Sequence, residues 1–161
     1  MITDTSEKGL EDLIVNHLIE QGEYERGDNG DFDRTYALDL KKLSHFLEVT
    51  QVDIYEALPI LEEGPQKTQF LSRLQGEITK RGVVDVLRHG IKHGRYSIDL
   101  YYPMASEGNP KAEELHHKNI FSITRQLRYS QSASMLALDL ALFINGLPVM
   151  TFELTGSPSK R

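Results

Sequence analysis

The chain has 161 residues, 39% of them hydrophobic, with 24 acids against 18 bases, a formal net charge of −6 and no cysteine. That length supports one compact core rather than two, and the absence of thiols excludes disulfide scaffolds and thiolate zinc sites and suits a reducing, cytoplasmic compartment. The charge is uneven, because residues 1–64 hold 16 acids and 5 bases whereas residues 65–161 hold 8 and 13.

A polyanionic partner is therefore expected on the second half, near Arg73, Lys80, Arg81, Arg88, Lys92 and Arg95. An ordinary solvated helix face is the equal alternative. The opening MITDTSEKGLEDL has neither the basic nor the apolar segment of a signal peptide, and the apolar run near the other end is broken by Asn145, Gly146 and Pro148, so neither export nor a membrane span is expected.

In chain order, Leu10, Leu13, Ile14, Val15, Leu18 and Ile19 recur at helical spacing over 9–21, with Gly22 as the stop. QGEYERGDNGDFDR reads as a loop by composition. Leu40, Leu43, Phe46 and Leu47 mark a second helix with Asp39 as its N-cap. A third is expected over 52–61, ending near Pro59. Phe70, Leu71, Leu74 and Ile78 give a helix over 68–80, with cations at its C-terminal end. A short helix over 83–88 stops at Gly90. The chain then changes character: RYSIDLYY, NIFSITRQLRY, LALDLALFI and LPVMTFEL read as strands. Helices first and strands last imply an α+β or α/β domain with a largely meandering sheet.

Asn145-Gly146 between two apolar runs is a strong hairpin signal. Both strands are apolar on successive positions, so Asp139 and Glu153 stand out, since a buried carboxylate without a partner is costly. One reading puts each acid at a strand end, exposed or paired with Arg125, Arg128 or another cation. The other makes both acids oxygen ligands of a divalent metal. Register separates the two. A strict two-residue loop pairs Asp139 with Phe152 and sends the acids to opposite faces, whereas a bulge or a three-residue loop brings them to one face.

FSITRQLRY followed by DLALFINGLPVMTFEL, with LEDLIVNHLIEQGEY at the start, resembles the N-terminal nuclease domain of the restriction (R) subunit of type I restriction enzymes. The resemblance implies an α/β chain of the PD-(D/E)xK restriction-endonuclease-like fold, a mixed central sheet with flanking helices. It also implies Mg2+-dependent hydrolysis of double-stranded DNA in a complex with modification and specificity subunits. By resemblance, Asp139 and Glu153 are the paired catalytic and metal carboxylates, Glu11 and the backbone carbonyl of Leu154 complete the ligand set, and Gln126 supports the site.

The sequence departs from the family at three places. E-L-T puts Thr155 where the family carries its lysine, Leu138 stands where Pro usually precedes the Asp, and the chain ends at GSPSKR soon after the motif. The whole is therefore read as one endonuclease-like domain truncated on its C-terminal side, with foreign or frameshifted terminal residues. A natural remnant with a dead site, or Lys160 swinging into the lysine's role, are the other readings. The family's ATP-driven translocase is lacking, and with no GxxxxGK[ST] loop, ATP is assigned to the full-length family protein only. The inactive alternative is a nuclease-like assembly or DNA-docking module. The pairs His89/His93 and His116/His117 have no established metal spacing, and EELHHKN is expected to be a solvated turn.

Overall fold

The computed structural model describes residues 6–133 and 136–154. Helix α1 (Glu7–Gln21) starts two residues before the expected residue 9, because Ser6 caps it by accepting from the Gly9 amide at 3.1 Å. Gly22 ends it by donating to the Leu18 carbonyl.

The segment read as a loop contains strands β1 (Glu25–Arg26) and β2 (Phe32–Asp33) around a 3-10 turn at Asn29–Asp31. Two-residue strands carry no period to read; long-range partners make them. The Gly27 amide donates to the Ile123 carbonyl at 2.9 Å, and β2 pairs with β3 (Leu38–Asp39).

Asp39 caps α2 (Leu40–Thr50) as expected, accepting from the Lys42 amide at 3.0 Å. Burial pushes its carboxyl above the usual range. Helix α3 (Val52–Ala57) is shorter than the expected 52–61, closing before Pro59, which cannot donate to a further turn. Helix α4 (Pro65–Arg81) begins earlier than 68, with Pro65 in the first turn, where a missing amide costs nothing. Helix α5 (Val83–His89) ends at Gly90, as the sequence implies.

The run RYSIDLYY forms only the short β5 (Tyr96–Ile98), paired with β4 (Ile91–His93). EELHHKN is not a turn but belongs to α6 (Pro110–His117), capped by Asn109, which accepts from the Ala112 amide at 3.1 Å. The Asn-Pro pair just before it was the available signal.

The remaining strands, β6 (Phe121–Arg128), β7 (Ala137–Ile144) and β8 (Leu147–Phe152), form an antiparallel meander, and β1 adds in parallel to β6. The result is a four-stranded mixed sheet, order β1-β6-β7-β8, with flanking helices. The largest apolar core joins α2–α5 to the hairpin tip, with Leu43, Phe46, Phe70, Leu74 and Leu147 fully buried. A smaller one seats Val15 of α1 on Ile123, Leu140 and Leu142 of the sheet. Among the described residues, no helix is long and apolar enough to cross a membrane.

The β7–β8 hairpin fixes the position of the site. Ile144 pairs with Leu147, so the loop has two residues, with Asn145 at φ +51° and Gly146 at φ +84°. The three-residue loop is therefore not formed, but the expected bulge is. Phe143 pairs with Pro148 and then Leu142 with Met150, leaving Val149 unpaired. Leu140 in turn faces Phe152, and continuing that register sets Glu153 opposite Asp139.

Candidate functional site

Three elements meet at a cavity of about 760 Å3 lined by Glu7, Lys8 and Glu11 of α1, Arg125 and Gln126 of β6, and Asp139 of β7. Glu11 lies on the helix face that carries Val15, and its side chain is 7% exposed. Arg125 compensates that buried charge: its Nε donates to Glu11 Oε1 at 2.6 Å and its Nη1 lies 2.6 Å from Asp12 Oδ1. The hydrogen bond to Glu11, with Asp12 beside it, holds the guanidinium above its ordinary pKa.

Gln126 occupies mid-strand with φ +50°, a left-handed conformation that costs about 1–3 kcal/mol for a residue with a Cβ. Its position faces Asp139 between the Arg125–Leu140 and Leu127–Leu138 pairs. From there its Nε2 reaches Glu11 Oε2 at 3.1 Å and Asp139 Oδ1 at 3.4 Å. Asp139 Oδ2 accepts from the Leu154 amide at 2.6 Å, which ties the end of β8 to β7. The residues read from the sequence are thus drawn together in part. Glu11, Gln126 and Asp139 form one hydrogen-bonded unit, and Leu154 joins it through its N–H.

Glu153 lies one residue beyond β8 and is exposed; among the described residues it makes no hydrogen bond or ion pair. It is one acid at a strand end, whereas Asp139 is held within the unit and pairs with neither Arg125 nor Arg128. Among the described residues, no group of three or more acids and histidines is gathered closely enough to hold a metal ion. Thr155 and Lys160 lie outside the described residues. Glu11 and Asp139 are oxygen ligands of the kind a hard divalent cation takes, and the Nε2 of Gln126 lies between them. Sequence reasoning missed Lys8 on this cavity and the Arg125 link to Glu11, since residues 114 positions apart leave no local pattern.

The cations grouped by charge lie elsewhere, on α4, α5 and the β4–β5 hairpin. Arg73, Arg81 and Lys92 line a separate cavity of about 320 Å3 that shares no residue with the first. Arg81 is committed to structure: it bonds Asp85 at 2.6 Å, Glu77 at 3.0 Å and the Gly90 carbonyl at 3.1 Å. Those bonds hold both carboxyls below their usual range. Arg73 donates to the Lys92 carbonyl, and Arg95 reaches the Tyr96 hydroxyl at 3.0 Å. Lys80, Arg88 and Lys92 are exposed. His89 meets Asp85, His93 packs edge-on against Phe70, and His116 meets the Tyr102 carbonyl.

The sequence profile of the family described as Type I restriction enzyme R protein N terminus matches residues 4–157. No curated protein and no solved structure matches the chain.

Proposed function

The chain belongs to the family of type I restriction enzyme R protein N-termini, and from that premise we propose that it is a nuclease domain of the PD-(D/E)xK kind. In this reading it hydrolyses phosphodiester bonds of double-stranded DNA at the Glu11–Gln126–Asp139 cavity. The observation that carries the reading is that one amide joins carboxylates from α1 and β7. Aligning a buried Glu11 and a half-buried Asp139 on one amide has little value for stability alone.

Bound there, Mg2+ would supply an activated water and neutralise charge on the phosphate and the leaving oxygen. The chain's own residues prepare that chemistry. Asp139 is oriented from both sides, by Gln126 and by the Leu154 amide. Glu11 would be the second ligand, Glu153, set opposite Asp139 by the sheet register, would be the third, and the Leu154 carbonyl would be a further hard donor. Lys8 lines the cavity and can present positive charge to a phosphate. Arg73, Lys80, Arg88, Lys92 and Arg95 are proposed as sequence-independent phosphate contacts with steep salt dependence; Arg81 is assigned to the α4–α5 joint instead.

Modification and specificity subunits are the proposed partners in a cytoplasmic complex, with ATP used by the full-length R protein. Cleavage by this chain is impaired in this reading, because Thr155 cannot supply the charge of the family's lysine. That same residue favours a second reading, an inactive nuclease-like module that docks DNA or partner subunits. T155K in the assembled complex decides. A rise in Mg2+-dependent cleavage on the order of 100-fold, abolished by D139N, is expected. Absence of cleavage from both wild type and T155K, with DNA binding intact, selects the docking module.

A further inference from the structure

We propose that Arg125 is a built-in placeholder for the cation: its guanidinium occupies Glu11 in the metal-free chain and leaves it when a divalent ion binds, thereby setting metal affinity. This rests on reading the cavity as a metal site. All four carboxylate oxygens of Glu11 and Asp139 are already engaged by N–H donors: Arg125 and Gln126 on Glu11, Gln126 and the Leu154 amide on Asp139. Each of those oxygens keeps a second lone pair, so the neutral donors can stay when a cation binds, but the positive guanidinium on Glu11 opposes a second positive charge there.

The three donors differ in freedom. The Leu154 amide belongs to the backbone. Gln126 is fixed by the left-handed turn of its strand, at φ +50°, and its single amide nitrogen serves both acids. Arg125 alone has somewhere to go. Its side chain is 33% exposed and its other arm already holds Asp12, itself 46% exposed. Released from Glu11, the guanidinium stays tethered to Asp12 at the cavity wall, charged and solvated. Glu11 then exchanges one positive partner for another and its buried charge is never left uncompensated.

The test is titration of the full chain with Mg2+ and with Mn2+, followed by calorimetry and by thermal shift at fixed ionic strength. R125M is expected to lower the melting temperature of the metal-free protein and to bind Mn2+ on the order of 10-fold more tightly than wild type. In the E11Q background R125M should bring no such gain. R125K keeps a charge but cannot span Glu11 and Asp12 together; it should bind several-fold more tightly than wild type, and it carries the test if R125M does not fold. Wild type that binds metal while the Arg125 variants bind equally or more weakly overturns the placeholder and leaves the metal site standing. No metal binding by wild type or any variant overturns both.

Discussion

Asn145 and Gly146 carry more than the reversal of a hairpin. Asn145 is fully buried, and its side chain accepts from the Ile120 amide at 2.6 Å while donating to the Leu100 carbonyl and to Asn119 Oδ1. Three segments are tied at one side chain. N145D keeps the shape and the left-handed tolerance but turns a carboxylate oxygen toward two acceptors. It should cost about 2–4 kcal/mol in denaturant unfolding; a loss under about 1 kcal/mol would show that the amide is not a structural hub. A Cβ on Gly146 would stand 2.4 Å from the Asp39 carbonyl and 2.8 Å from the Leu43 amide, at φ +84°. G146A is therefore expected to lose about 2–4 kcal/mol as well, through the seat of the hairpin on the start of α2. The sequence advertised the turn plainly, since Asn-Gly has a local mechanism. It did not advertise the hub, whose partners are set by tertiary contact. Glu11 was legible for the same reason as the turn: it shares a helix face with Val15. Arg125 was not.

Elements with a strong period were read well. The helices α1, α2, α4 and α5 and the strands β6–β8 stand where the apolar pattern puts them, with ends displaced by caps such as Ser6 and Pro65. Elements made by partners rather than by period escaped notice, β1 and β2 among them, and α6 was missed although Asn109 and Pro110 mark its start. The joint between α4 and α5 is an electrostatic one, with Arg81 clasping Glu77 and Asp85 across Gly82. Both carboxyls have folded pKa values below their ordinary ones, first because of the hydrogen bond from Arg81. Their contribution to stability is thus present above the ordinary carboxylate range and drains away as pH falls through the depressed values. The melting-temperature gap between wild type and R81M should be widest near neutral pH and close on acidification; a gap that stays constant down to acid pH would contradict this.

At the scale of the molecule, the apolar clusters are unequal in size and the site lies beside the small one between α1 and the sheet. The helical core surrounds Leu43, Phe46, Phe70 and Leu74, whereas α1 rests on the sheet through a small cluster about Val15. Amide exchange should therefore open α1 at lower free energy than α2 or α4. V15A, which empties a side chain only 1% exposed, should cost about 2–3 kcal/mol and speed exchange in α1 first. Uniform acceleration across all helices would show that α1 is not a separate unit. In the proposed reading, Glu11 is thus delivered by a helix expected to open more easily than α2 or α4. The larger domain class was legible from helices preceding strands, but the division of the core was not, since sequence gives apolar faces without saying which faces meet.

Val149, the unpaired residue of β8, separates two inheritances within one hairpin. The turn answers to the interior, through Asn145 and Gly146, while the far ends of the arms carry the two acids of the proposed site, Asp139 and Glu153. A one-residue deletion at Val149 would remove the bulge and still leave Glu153 opposite Asp139, whereas a deletion at Thr151, beyond the bulge, would set Glu153 opposite Leu140 and turn it to the other face. The acid pair therefore depends on the count of paired residues beyond the bulge rather than on the bulge residue itself.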